Sequence, residues 1–197
     1  MNGFARRTSL SAALDESAAG GGPSSDHKPR RAAPLPPASA AWRQLPGEID
    51  WRICRFGELS PIELARIYRA RQQVFTIEQQ CIYLDADEYD EVSCHFAAWS
   101  TEHAMPLAYA RLLNPGTKYV EPAMGRVMTT APARGLGLGR EVVRRVIAHS
   151  TQMHPGMAIR ISAQERLARF YADFGFSPVG ASYLEDGIPH LEMLRPA

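Results

Sequence analysis

The run Arg134-Gly135-Leu136-Gly137-Leu138-Gly139 stands directly before a segment whose apolar residues Val142, Val143, Val146 and Ile147 recur at helical spacing. Glycine lets a backbone approach a ligand closely and adopt positive φ. The unsatisfied N–H groups of a helix's first turn, with the helix dipole behind them, suit a phosphate or diphosphate. Arg134, at the entrance of the run, adds a donor that pairs with phosphate. The same glycines would equally make a tight strand-to-helix turn that binds nothing. A dinucleotide fold is disfavoured: it wants the glycines immediately after a central parallel strand, with an acid about 20 residues on. Residues 130–133 intervene here, and Met153 to Met157 contains no Asp or Glu.

A second group of candidates comes from residue type. Tyr171 shares an apolar stripe with Leu167, Phe170 and Phe174, and the residues alone leave it open between a core tyrosine and a phenol donor. Glu78, Asp85, Asp87, His95, Glu185 and His190 could each act as a base. For His190 the alternative is a structural histidine bonded to a carboxylate such as Glu185. Arg71 and Arg111 fall on apolar faces, so each should meet a buried acid or an anionic substrate group. The run Asp85, Asp87, Glu88, Asp90 and Glu91 reads as a solvated loop, with attraction of a cationic amine as the alternative.

The elements that must position these groups alternate in period. Trp51 to Phe56 reads as a half-buried strand, then Ser60 and Pro61 cap a helix through Phe75. Strands over Ser93 to Ser100 and Pro106 to Leu113 should be antiparallel, and a third runs from about Gly125 to Thr129. The helix after the glycines, with Arg140, Arg144 and Arg145 toward solvent, stops at Pro155 and Gly156. Met157 to Ala163 reads as a buried strand. The helix bearing Tyr171 and strands Phe176 to Val179 and His190 to Leu194 complete a mixed α/β domain.

The chain has 197 residues, 45% of them hydrophobic, enough for one globular core and an appendage. Residues 1–45 are rich in Ala, Ser, Gly and Pro and are expected to be a disordered leader, with a transient turn at Ser9 to Glu16; residues 46–197 form the domain. Asp15, Glu16 and Asp26 argue against an organelle transit peptide. A formal net charge of +1 gives no global field for a nucleic-acid or membrane partner. Cys54, Cys81 and Cys94 lack metal or disulfide spacing and read as core residues in a reducing cytosol. No metal site is expected, and the protein reads as cytoplasmic.

Together the glycine run and Phe170-Tyr171-Ala172-Asp173-Phe174-Gly175-Phe176 resemble the cofactor loop and tyrosine helix of the GNAT N-acetyltransferases. More narrowly, residues from Trp51 to Arg195 are similar to the ElaA-like family. The similarity is carried by Arg71 to Phe75 with Glu78-Gln79, Asp85 to Asp90, Ala108 to Leu112, Gly125 to Val127, Ala163-Gln164 and Glu185 to His190. The resemblance implies a GNAT acyl-CoA N-acyltransferase fold with a central mixed sheet flanked by helices. It also implies transfer of an acetyl group from acetyl-CoA to a small-molecule or peptide amine by direct attack in a ternary complex. An acyl-CoA-binding sensor without turnover is the alternative, and a homodimer is open.

The resemblance further implies that Arg134, Gly135, Leu136, Gly137, Leu138, Gly139 and Arg140 hold the CoA diphosphate. Backbone donors of Val127, Met128 and Thr129 would hold the thioester, and Tyr171 would protonate the leaving thiolate. Gln164 stands where the family often has Asn, seven residues before the tyrosine, and a longer amide would contact the CoA arm there. Glu78 leads as the base, in the segment that lines the acceptor side of this fold, and His190 follows.

Overall fold

A computed structural model describes residues 32–36, 41, 45 and 48–197. One mixed sheet dominates it. The strands are β1 (Ile49–Arg55), β2 (Ser93–Ser100), β3 (Ala108–Leu113), β4 (Ala123–Thr129), β5 (Ile159–Gln164), β6 (Ser177–Pro178), β7 (Tyr183–Glu185) and β8 (Ile188–Arg195). Their order across the sheet is β1-β2-β3-β4-β5-β8-β6, with β7 also paired to β8. All pairings are antiparallel except β4 with β5. The expected run of strands and helices is present, with one hairpin more: β7 is short and exposed, so it offers no apolar alternation to read.

Helices cover both faces because neighbouring strand residues point to opposite sides. On one face α1 (Pro61–Arg71) packs Ile67 and Ala70 against Ala97, Tyr109 and Met128. Ser60 caps α1 as expected: its hydroxyl accepts from the Glu63 amide at 3.2 Å, and Glu63 answers the Ser60 amide at 2.8 Å. On the other face α2 (Leu138–Met153) and α3 (Ala168–Ala172) pack Leu138, Val142, Val146, Tyr171 and Phe174 against Phe96, Ala110, Met124 and Ile161.

Two arginines of α2 expected in solvent lie against other groups. Arg145 stacks over the Trp51 ring at 4.3 Å, and Arg140 pairs with Asp173 beside the rings of Phe170 and Phe174. Their long apolar stems explain this, covering aromatic surface while the charge stays wet.

The acidic run is the larger correction. Asp85 and Asp90 are buried, and with Asp87 they meet Arg71, Arg111 and Arg126 in one ion-pair network. Arg71, itself fully buried, donates to Asp85 and Asp90 at 2.7 Å each. Three guanidiniums against three carboxylates leave no net charge, which is what makes this burial tolerable. The expectation of buried acidic partners for Arg71 and Arg111 therefore holds, and the solvated-loop reading fails for the three aspartates. Glu88 and Glu91 are exposed.

Of the segment expected as a leader, residues 1–31 lie outside the described residues, and the turn at Ser9 to Glu16 with them. Residues 32–36 sit against the domain: the Ala32 amide donates to the Ala197 carbonyl at 3.1 Å, and Arg195 donates to the Ala33 carbonyl at 3.1 Å. Leu35 and Leu45 pack on the main core. This tether rests on backbone groups and one distant arginine, which composition does not reveal.

The network fixes the acid response. Burial opposes ionisation of Asp90, but the hydrogen bonds and charges of Arg71 and Arg111 outweigh it and hold its pKa below the usual carboxylate value. Burial also lowers the pKa of His95, whose Nε2 donates to the Asp90 carbonyl at 2.9 Å and whose Nδ1 meets the Tyr109 hydroxyl at 2.7 Å. Both depressed values mean stability that is present above the unfolded pKa, about 6.5 for His and 3.9 for Asp, and is lost as pH falls below it. Asp90→Asn should cost about 3–5 kcal/mol, because it leaves Arg71 and Arg111 underpaired in the interior. Denaturant titration of both proteins at pH 7 checks this, and the difference between them should shrink toward pH 3.

Candidate active site

The site is built around a break in the sheet. β4 and β5 are parallel but register only at Ala123 with Arg160, reinforced by the Arg160 amide donating to the Pro122 carbonyl at 3.0 Å. Beyond that point they diverge, and β5 turns to β8 for its remaining pairs. Opposite β3, β4 carries a bulge: Tyr109 faces Met128 and Arg111 faces Gly125, so Arg126 and Val127 together oppose Ala110. The edge of β4 from Gly125 to Thr129 therefore lacks a ladder partner from β5 and opens on a cleft.

That cleft, about 740 Å³, is lined by Val127, Met128, Thr129, Arg134, Gly139, Gln164, Leu167, Phe170 and Tyr171, with Val74 and Glu78 on the far wall. Its volume lies in the range of ligand sites, about 300–1,000 Å³. The glycine run turns as the sequence requires, with Gly135 at φ 76° and Gly137 at φ 88° as the N-cap of α2. By helix geometry the amides of Leu138, Gly139 and Arg140 have no acceptor within α2. A Cβ on Gly139 would lie 3.4 Å from the Thr129 methyl, so glycine there allows α2 to approach β4. Leu138 is fully buried in the core and contributes only its backbone. Of the run, only Arg134 and Gly139 line the cleft; Gly135, Leu136, Gly137, Leu138 and Arg140 belong to the same turn but are not among its lining groups.

The wall opposite the glycine turn comes from a π-helical turn, Gln72–Glu78, that continues α1. The Gln79 amide donates five residues back, to Val74, at 3.1 Å. The wider turn swings Glu78 across the cleft, where it forms an ion pair with Arg134. The leading base candidate and the expected phosphate donor thus neutralise each other. Helical periodicity predicts α1 through Phe75 but carries no signal for the change of pitch.

Tyr171 projects from α3 with its ring packed edge-on against Phe170 and Phe176, and burial raises its pKa well above that of a free phenol. It lines the cleft and also a smaller adjoining space, the passage, bounded by β4 residues Met124 to Val127 and β5 residues Ile161 to Gln164. Gln164 borders both, its Nε2 donating to Gln79 at 3.0 Å and its Oε1 accepting from Arg166 at 2.9 Å. A ligand contact at this amide would replace one of those bonds.

Beyond the passage lies a second pocket, about 210 Å³, bounded by Cys81, Tyr83, Tyr119, Arg126, Ser162, Glu185, Asp186 and His190. His190 borders both the passage and this pocket. Its Nδ1 donates to the Ile188 carbonyl at 2.8 Å, which in the neutral ring leaves Nε2 as the basic nitrogen. The expected partner Glu185 instead accepts from Ser162 at 3.1 Å. Asp85, Asp87 and His95 leave the set of base candidates, because their polar atoms are engaged in the buried network. Among the described residues no group of three His, Cys, Asp or Glu side chains is arranged to hold a metal ion, and no helix is long and apolar enough to cross a membrane.

A mixed sheet splayed at a parallel pair, with a glycine-capped helix at one end of the gap and a buried phenol beside it, has the geometry to hold an extended anionic ligand. Comparison with known proteins agrees. Residues 85–195 match the family profile of the acetyltransferase (GNAT) domain. A UPF0039 protein of Synechocystis is 42% identical over 147 residues, 75% of this chain and 95% of that one. Protein ElaA of Escherichia coli is 33% identical over 149 residues, 75% of this chain and 96% of ElaA. Among solved structures, an acyl-CoA N-acyltransferase from Pseudomonas aeruginosa is similar with a TM-score of 0.71 at 35% identity, covering 75% of this chain and 99% of that one. The crystal structure of ElaA gives 0.69 with the same coverage of each chain. The chain belongs to the GNAT acetyltransferases, in their ElaA-like branch, and is an acyltransferase.

The Glu78–Arg134 pair yields a test that separates it from a catalytic carboxylate. Glu78→Gln frees Arg134 for an anion, so CoA should bind about 3- to 10-fold more tightly, the size of a partly exposed ion pair. In an Arg134→Ala background the same change should have less effect, and calorimetry of the four proteins with CoA reads the coupling.

Proposed function

We propose that this protein transfers an acetyl group from acetyl-CoA to an amine by direct attack within a ternary complex. The observation that carries the reading is the adjacency of three spaces that share lining residues: the cleft at Arg134 and Gly139, a small space between β4 and β5 that shares Tyr171 and Gln164 with it, and a pocket that shares His190 and Arg126 with that space. Two reactants entering from opposite sides of a sheet meet in that gap at a fixed distance and orientation, which is the entropic advantage a bimolecular transfer needs.

Each requirement of the chemistry has an occupant. The first-turn amides of α2 and Arg134, once released from Glu78, hold the diphosphate. The unpaired edge of β4 accepts an extended amide-bearing arm as a strand would. The amides near Val127 and Met128 then face the thioester carbonyl and stabilise the oxyanion that forms as the amine adds. As that intermediate collapses, the C–S bond breaks and the Tyr171 phenol supplies the proton to the departing thiolate. Its raised pKa supports this role, since the phenol stays protonated throughout the neutral range.

His190 has the better claim to the base. It borders the side of the passage from which an amine would arrive, and its tautomer presents Nε2 as a proton acceptor. Glu78 stands in the cofactor cleft paired with Arg134, which supports a role in CoA entry. The acceptor remains an amine of small-molecule or peptide origin, and a non-catalytic CoA sensor is the reading that a negative result would favour.

Incubation with acetyl-CoA and a panel of primary amines should release free CoA thiol. Tyr171→Phe should lower kcat about 10- to 100-fold with the CoA Kd nearly unchanged, and His190→Gln should lower it by a factor on the order of 10². Glu78→Gln should keep kcat within a few-fold. CoA binding without thiol release from any amine would contradict the enzyme reading. A Tyr171→Phe variant as fast as the parent under rate-limiting chemistry would remove the phenol from the mechanism.

A further inference from the structure

The bulge in β4 is made by an unusual residue. Left-handed backbone conformations at bulges belong to glycine. Yet the positive φ falls on Arg126, at 53°, and not on Gly125 beside it. An arginine holds that conformation only when its surroundings over-determine it.

They do so through the side chain. Arg126 Nε lies 2.8 Å from Asp85 Oδ1, and Nη2 donates to the Asp85 carbonyl and to Asp87 Oδ2 at 3.1 Å each. The guanidinium also stacks over the Tyr83 ring at 5.2 Å. Asp85 and Asp87 are themselves fixed from behind: Arg71 of α1 donates to Asp85 Oδ2 at 2.7 Å, and Arg111 of β3 donates to Asp87 Oδ2 at 2.7 Å. A rigid chain of contacts thus runs from α1 and β3, through the loop that carries the aspartates, to the bulge that sets the direction of the next two peptide groups.

We infer that Asp85, Asp87 and Arg126 are positioning residues for acyl transfer: they lock the bulge so that the amides of Val127 and Met128 point at the thioester. The inference rests on the proposed placement of the thioester along β4. It assigns these three residues no contact with the reacting atoms. The clamp reaches the same strand from the side opposite the glycine turn, so it governs the chemical step and leaves the diphosphate site alone.

Arg126→Gly is the decisive variant, because glycine accepts the backbone conformation while the tether disappears. Losing a partner of Asp85 and Asp87 should lower its melting temperature, and at a temperature where it is fully folded it should bind CoA within about threefold. Its kcat should fall about 10- to 100-fold with little change in KM for acetyl-CoA, the loss expected when an oriented donor is allowed to drift. Asp87→Asn should move kcat in the same direction, and millimolar guanidinium should restore part of the activity of Arg126→Gly. Unchanged kcat, or a loss matched by the unfolded fraction, would overturn the assignment. So would a loss of CoA affinity equal to the loss of turnover, which would make Arg126 a ligand contact.

A readout independent of turnover is the amide NMR signal of Val127 and Met128 on addition of acetyl-CoA. Both should shift in the parent and respond far less in Arg126→Gly, while Gly137 and Gly139 respond in both proteins. Equal responses at Val127 and Met128 in both proteins would refute the clamp. A parent in which the glycine turn responds but Val127 and Met128 do not would instead refute the placement of the thioester.

Discussion

The proposed site depends on backbone hydrogen bonds that stop. β4 and β5 pair at Ala123 and Arg160 and then part, leaving a strand edge whose backbone groups are available to a ligand. The parallel connection through α2 places that helix's N-terminus at the open end of the gap. The proposed sites for an anion and for an extended arm would therefore arise from a single topological choice, in keeping with the tendency of α/β sheets to bind ligands where the strand order reverses.

A parted sheet needs something else to keep its shape. On the α1 face, apolar packing by Ile67, Ala70 and Val74 covers Tyr109 and Met128. Beside the second pocket the work falls to charge: Arg71, Arg111 and Arg126 with Asp85, Asp87 and Asp90. Such a network adds little net stability compared with an apolar core, since desolvation offsets most of the attraction. What it provides is direction. Bidentate guanidinium contacts fix angles as well as distances, and a bulged strand bordering a reaction site has more use for fixed angles than for additional burial.

The floor and the mouth of the cleft differ in how firmly they are built. Tyr171 and Leu138 are held in the main core, and the glycine turn is shaped by backbone conformations that only glycine takes readily. Glu78 and Arg134, by contrast, are partly exposed and meet across the cleft from a π-helical turn and a loop. A rigid floor with an exchangeable ionic contact at its mouth suits a site that must admit and release a large, multiply charged carrier.

Much of this was legible in the residues alone. The glycine run, the capped α1, the apolar stripe of α2 and the antiparallel β2–β3 pair are local features, governed by φ preferences and by periods of 3.6 and 2 that a sequence displays directly. Arg71 and Arg111 announced an anionic counterpart, a buried acid or a substrate group, because a guanidinium on an apolar stripe must be paired; the fold supplies the acids. The identity of those partners was not legible, since spacing within the run from Asp85 to Asp90 looks the same whether its carboxylates face water or guanidinium. The short β7 hairpin, the pitch change at Gln72, the left-handed Arg126 and the pairing of Glu78 with Arg134 likewise left no mark. Each depends on contacts between residues far apart in the chain, and only the folded arrangement, which fixes those distances, decides which charge meets which.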